Sequence, residues 1–216
     1  MKSRAIKFIL LGLVTVCFLC VAPQAFANQD RQSSSLSQSS QSGQSIHLLR
    51  QVVRVNTEQP EVRIERRDKH TFVVGSVLIN APRERVWSTL VDYDRSTEIF
   101  NNLSLCQVIG NEGDVKLVRQ VVKPGGPIKF DYVVNLTETK PSLIKWKRRS
   151  GSFREVMGAW ELESVAKTSS TLVTYSIHLD GGYALPPWLL ASQVKGYLPT
   201  VLNALKVKLE PAKQGV

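Results

Sequence analysis

The chain holds three histidines, His47, His70 and His178. None has cysteine, histidine or acidic neighbours at the spacing of a metal site, so the sequence predicts no metal ligands and no cofactor. No Gly-x-Ser-x-Gly elbow is present, and Pro124-Gly125-Gly126-Pro127 lacks the spacing of a phosphate loop. Glu161 and Glu163 lie two apart on one strand face, and Asp131 falls on the polar side of its own strand. A general acid needs burial or a close partner, and neither is visible for these carboxylates, so no catalytic residue is assigned. What the sequence does concentrate is aromatic side chains at alternate positions. Phe130, Tyr132, Trp146, Trp160 and Tyr175 all fall on apolar strand faces, Phe100 closes a short helix, and Trp188 opens a long one. Arg148 shares the parity of Ile144 and Trp146, so in a regular strand it points inward to a carboxylate, a carbonyl or a ligand head group. A place at the open rim of the sheet is the alternative. Large rings with polar tips suit a wall that holds an apolar body and one oxygen, although each ring taken singly also suits a filled core. With Val194 and Leu198 from the closing helix, the predicted ligand-binding set is Phe100, Phe130, Tyr132, Trp146, Arg148, Trp160, Tyr175, Trp188, Val194 and Leu198.

The elements that must carry these residues follow from periodicity. Val62 to Ile79 reads as a strand pair joined by Arg66-Arg67-Asp68-Lys69-His70. Pro82 opens a helix with Val86, Trp87, Leu90 and Val91 at helical spacing; Asp92-Tyr93-Asp94 breaks it, and a second short helix ends at Phe100. Strands resume with Leu105–Ile109 and Val115–Val122 around Asn111–Asp114, and Pro124–Pro127 makes the next turn. Four further alternating runs follow, the last of them Thr171–Leu179, where Val173, Tyr175, Ile177 and Leu179 oppose Thr174, Ser176 and His178. Such strands describe an antiparallel sheet covered on one side. Pro186-Pro187 then starts a helix with the apolar stripe Leu190, Val194, Tyr197, Leu198, Val201, Leu202, Leu205 and Leu209. Pro199 within it predicts a kink near Gly196.

The run Val77-Leu78-Ile79-Asn80-Ala81-Pro82, then Val86-Trp87 and Asp92-Tyr93, resembles the START-like helix-grip (SRPBCC) superfamily, in its polyketide cyclase/dehydrase and coenzyme Q-binding branch. Gly158-x-Trp160 and the proline-opened last helix agree with it. The resemblance spans Val62 to Leu209. It implies an α+β helix-grip fold: a strongly bent antiparallel sheet wrapped around a long C-terminal helix, with two short helices after the first long strand. It also implies a cavity between helix and sheet for a lipid, an isoprenoid quinone, a sterol or a polyketide, with cyclisation catalysed by some members.

Composition is that of a globular chain: 216 residues, 43% hydrophobic and 21% charged, with 28 Lys+Arg against 18 Asp+Glu. Lys2, Arg4 and Lys7 precede the uncharged run Phe8 to Ala22 and the small-x-small site Ala25-Phe26-Ala27, so residues 1–27 read as a cleavable export signal. An uncleaved anchor is the alternative. Cleavage would remove Cys17 and Cys20 and leave Cys106 as a lone buried thiol. Residues 28–60 combine a Gln/Ser-rich flexible tether with the unassigned run Ile46–Val55; the ligand-binding domain covers 61–210 and a tail 211–216. The expected location is therefore exported: periplasm, an envelope-associated lumen or outside the cell. Lys123, Lys129, Lys145, Lys147 and Arg149 could gather beside the cavity mouth and favour an anionic membrane surface, whereas no nucleic-acid motif is visible. Three functions remain open: a carrier or sensor of a hydrophobic small molecule, a cyclase/dehydratase using cavity tyrosines or Arg148, and a membrane- or partner-docking module with a solid core.

Overall fold

The computed structural model describes residues 59–125 and 127–210, all within the unit Gln51–Val216. The export signal, the tether, the run 46–55 and the tail 211–216 lie outside the described residues. Eight strands form one antiparallel sheet: β1 Glu61–Arg67, β2 His70–Ile79, β3 Leu103–Glu112, β4 Val115–Gly125, β5 Ile128–Thr139, β6 Leu143–Gly151, β7 Glu155–Ser164 and β8 Thr171–Asp180. Their spatial order is β1-β2-β8-β7-β6-β5-β4-β3. Hairpins join every neighbouring pair except β2 and β8, so the chain's first and last long strands meet side by side, Val73 opposite Ile177.

Helix α1 (Arg83–Leu90) follows Pro82, whose φ of −59° fits a helix entry and whose missing N–H costs nothing there. It buries Val86, Trp87 and Leu90. The segment Tyr93–Glu98 is a 3-10 helix, so Tyr93 and Asp94 belong to the second short helix rather than to a break before it. Helix α2 (Pro187–Leu209) closes the chain and continues through Pro199. Leu190, Leu198, Leu202, Leu205 and Leu209 of its predicted stripe are buried; burying each such side chain is worth about 1.5–3 kcal/mol.

Helix α2 packs chiefly on β2, with flanking contacts to β1 and β8. Gly75 sets the closeness of that contact: a Cβ there would stand 2.7 Å from Leu202 Cδ1 and 2.8 Å from Leu198 Cδ2. At the helix C-terminus, Lys206 Nζ donates to the Leu78 carbonyl at 3.0 Å and Glu210 Oε1 accepts from the Asn80 N–H at 2.8 Å. The helix thus covers one wing of the concave face. Strands β3 to β7 curve over the other wing, where α1 and the 3-10 segment face them.

The expected division of β8 into an apolar and a solvated face is only half realised. Val173 and Ile177 point inward and are buried, yet Ser176 and His178 on the outer face are buried too. His70 and Phe72 of β2 pack their rings against His178, with centroids 4.8 and 5.7 Å away, and Arg67 lies over Phe72. Period-2 alternation gives the face a side chain takes; whether water reaches that face depends on the neighbouring strand.

Candidate functional site

Between the uncovered wing of the sheet and the 3-10 segment lies a cavity of about 130 Å3. Four rings run across its floor. Phe100, just after the 3-10 segment, stacks on Trp160 of β7 at 6.3 Å; Trp160 meets Tyr175 of β8 at 4.3 Å; Tyr175 meets Trp146 of β6 at 5.5 Å. Alternation on three adjacent strands puts the last three rings on one face. Gly158 makes room for the row, because a Cβ there would stand 2.4 Å from Trp146 Cζ2 and 2.3 Å from the Ser176 carbonyl oxygen. The indole therefore lies flat against the β7 backbone.

The cavity also has polar lining, from Tyr93, Ser96, Asn102, Cys106, Gln120, Tyr132 and Tyr175, several of them bonded to one another or to groups just outside. The Tyr132 hydroxyl donates to Gln120 Oε1 at 2.8 Å, and Gln120 Nε2 points to Cys106 Sγ at 3.8 Å. The Tyr93 hydroxyl donates to Glu138 Oε1, which also accepts from Lys116 Nζ at 2.7 Å. The Tyr175 hydroxyl has no hydrogen-bond partner among the described residues. Burial pushes the Tyr132 and Tyr175 hydroxyls well above the ordinary tyrosine range, and burial followed by the Glu138 carboxylate does the same to Tyr93. At neutral pH all three are protonated donors. Burial also raises the Cys106 thiol, against the opposing hydrogen bond from Gln120, so no nucleophilic thiolate forms there.

Of the predicted binding residues, Phe100, Tyr132, Trp146, Trp160 and Tyr175 line this cavity. The others are placed elsewhere. Phe130 stacks on Phe153 at 4.7 Å, one step beyond Tyr132. Arg148 is not among the cavity-lining residues: its Nη2 donates to the Gly151 carbonyl at 3.3 Å, and its Nε is buried with no partner among the described residues. Trp188, in the first turn of α2, is 71% exposed, while Leu190 and Ala191 just after it are buried. Leu198 is fully buried against Gly75, and Val194 borders a separate gap of about 10 Å3 between α2 and the strands β2 and β8. The expected basic patch is also divided. Lys123 and Lys129 flank the β4–β5 turn, whereas Lys147 pairs with Asn135 and Lys145 with Thr137. Six to eight residues of β5 separate the groups, roughly 20–26 Å. Arg149 is held by Glu112 at 3.0 Å.

The sequence reading missed Gln120, Cys106 and Tyr93 as cavity residues. Gln120 shares the parity of Val118 and Val122, a polar side chain among inward apolar ones, and that was its available signal. Asp131, Glu161 and Glu163 stay outside the cavity, with Asp131 bound by Arg119 at 2.7 Å, which holds its carboxyl below the usual range. The one grouping of metal-type donors among the described residues, His70, Glu155 and His178, lies on the opposite face of the sheet.

A family model described as polyketide cyclase / dehydrase and lipid transport matches residues 79–206. No curated protein matches. Among solved structures, a STAR-related lipid transfer protein from Xanthomonas axonopodis superposes with a TM-score of 0.59 at 18% identity, over 71% of this chain and 95% of that one. The Zhui aromatase/cyclase from a Streptomyces species gives 0.55 at 18%, over 67% and 98%, and human STARD10 gives 0.56 at 12%, over 68% of each. The chain belongs to the polyketide cyclase/dehydrase and lipid transport family and has a helix-grip α+β fold.

Proposed function

We propose that this family member is an exported carrier or sensor of a hydrophobic or amphipathic small molecule, such as a lipid or an isoprenoid quinone, held between sheet and closing helix. One observation carries the reading: the concave face is left unfilled beside a continuous row of four rings, with a single unbonded hydroxyl, Tyr175, among them. A cavity of about 130 Å3 is near the size that accepts one benzene-sized guest, well below the several hundred Å3 of a typical ligand site. A ring or the end of a chain fits as it stands. A longer guest needs α2 to move. The helix is suited to that, since its C-terminus is bonded to β2 through Lys206 and Glu210, its first turn carries the exposed Trp188, and Pro199 cannot donate to the Lys195 carbonyl between them. Affinity would come from apolar burial at ~25 cal/mol per Å2, with Tyr175 or the Tyr132–Gln120 pair orienting an oxygen.

Export rests on residues 1–27, and an envelope location follows from it; tagging the C-terminus and fractionating the cells tests it, a cytoplasmic full-length chain being the contrary result. For the ligand, the protein is purified natively, extracted with organic solvent and analysed by mass spectrometry. Enrichment of one class of hydrophobic compound over an unrelated protein handled alike is expected. An extract with none, from protein that also fails to take up quinone or fatty-acid probes, overturns the carrier reading.

A second reading, a cyclase/dehydratase, is favoured by the same tyrosines, which are neutral donors able to polarise a carbonyl. Arg148, the other candidate in this reading, does not line the cavity; its Nη2 donates to the Gly151 carbonyl at 3.3 Å. The enzyme reading predicts turnover that collapses in Tyr175→Phe while binding survives. The solid core required of a ligand-free docking module is at odds with the cavity.

A further inference from the structure

We propose that His70, Glu155 and His178, on the outer face of the sheet, form a binding site for a divalent transition-metal ion of the zinc class. The residues are far apart in sequence and come from the starts of β2 and β7 and the end of β8. The sheet order β2-β8-β7 makes these three strands neighbours, and the register sets Glu155 opposite Asp180 and His178 opposite Met157. The three side chains leave on the face away from the aromatic cavity.

His70 Nε2 stands 3.3 Å from Glu155 Oε2 and His178 Nε2 stands 3.6 Å from the same oxygen; one donor atom from each residue lies within 4.8 Å of the others. Donors about 2.1 Å from a tetrahedral ion stand roughly 3.4 Å apart, so two of the three edges already match and the third closes by about an ångström. The imidazoles are prepared for the task. His178 Nδ1 lies 2.9 Å from the Thr71 carbonyl oxygen, to which it donates in the tautomer that leaves the Nε2 lone pair aimed at the cluster. His70 Nε2 is buried with no hydrogen-bond partner. An orphaned ring nitrogen, a second one oriented by a backbone carbonyl and a carboxylate oxygen between them are what an ion would satisfy at once.

The surroundings narrow the chemistry. Two imidazoles and one carboxylate suit zinc and its neighbours in the first transition row, and not magnesium or calcium, which take oxygen donors. Asp180, the next carboxylate, is occupied by Arg154 Nε at 2.8 Å and by the Gly182 N–H at 2.8 Å. Three protein donors leave one coordination position open. The half-exposed Glu155 side provides the path in, since 31% of its side chain is accessible against 6% for His178.

The test uses the full chain, stripped with chelator, titrated with zinc chloride by calorimetry and checked by elemental analysis. One zinc per chain is expected, with a thermal midpoint raised by about 4 °C or more at saturation and no response to calcium. Glu155→Gln and His70→Asn each weaken binding at least about tenfold and cancel most of the thermal shift. These variants carry the test even if the buried His178 tolerates no change. His47→Ala should leave binding intact. Absence of stoichiometric zinc, equal affinity in both cluster variants, loss of binding only in His47→Ala, or an equal response to calcium each overturns the site.

Discussion

The two faces of strand β8 do opposite things with the same alternation. Inward, Tyr175 and Ile177 border a cavity whose polar lining is made of neutral side chains, beside rings contributed by β6 and β7. Outward, His178 meets His70 and Glu155, so titratable groups crowd together where apolar packing stops. Only the parity of the residue number separates them. A sheet that is concave on one side and partly covered on the other can build two environments from one strand, because consecutive side chains never share a face. Burial sets the character of the inner site, keeping its tyrosine hydroxyls protonated, whereas the outer cluster joins groups that keep some access to water.

The contrast breaks most sharply where the inner face is held together. Leu202→Ala removes a fully buried side chain that rests on Gly75 and should cost about 3 kcal/mol in urea unfolding. A loss below about 1 kcal/mol would mean that the helix does not clamp this wing. Next in size is the alkaline response. The raised hydroxyls of Tyr132 and Tyr175 favour the fold while they stay protonated, so their contribution is complete below about pH 10 and is lost as pH rises beyond it, toward their folded values. Each buried tyrosine then removes about 1.4 kcal/mol of stability per pH unit. The midpoint in urea should fall steeply above pH 10, with the tyrosinate absorbance of these two buried residues, over that of the exposed Tyr183, appearing only on unfolding; a flat profile to pH 12 would show that the cavity admits hydroxide. A smaller effect is expected from Tyr175→Phe, which changes stability by less than about 0.5 kcal/mol because its hydroxyl bonds nothing in the fold. It should weaken a ligand bearing an oxygen by roughly five- to tenfold, one neutral hydrogen bond, and a pure hydrocarbon not at all. The smallest effect belongs to the outer face. Glu155→Gln in metal-free protein should change stability by less than about 0.5 kcal/mol, since Glu155 is partly exposed and its carboxylate oxygen stands 3.3 and 3.6 Å from the two imidazole nitrogens. A loss above 1 kcal/mol would make the cluster a structural ion pair and not an open site.

Particular residues show how far local pattern reaches. Trp146, Trp160 and Tyr175 were legible as inward-facing because strands have a period of two and each sits among apolar residues of equal parity. Trp188 and Trp146 are the same residue type, yet the first, in the opening turn of α2, is left exposed, and helical periodicity gives a side chain's face without saying what covers it. Phe130 has the right parity and the wrong neighbour: Phe153, across the β6–β7 bend, takes its ring. Arg148 has inward parity as well, but pairing with β7 ends at Lys147 and the register with β5 shifts beside Arg148, so its Nη2 meets the Gly151 carbonyl of its own strand. The basic patch failed for a related reason, since residues adjacent on the page of a sequence, once placed on a strand, lie about 3.3 Å apart per step and separate quickly.

By itself the sequence determined the strands, the three helical segments, the apolar stripe of the last helix and the helix-grip family, since each is written in short-range periodicity, proline and glycine placement, or a contiguous motif. The tertiary structure alone decided which rings share a cavity, how much space is left between them, that Gln120 and Cys106 lie beside Tyr132, and that His70, Glu155 and His178 meet. Those outcomes depend on strand order and register across as many as 108 positions of chain, His70 to His178. Pairing at that range is fixed by the closing of the whole sheet around one helix, a cooperative event that no local window of residues contains.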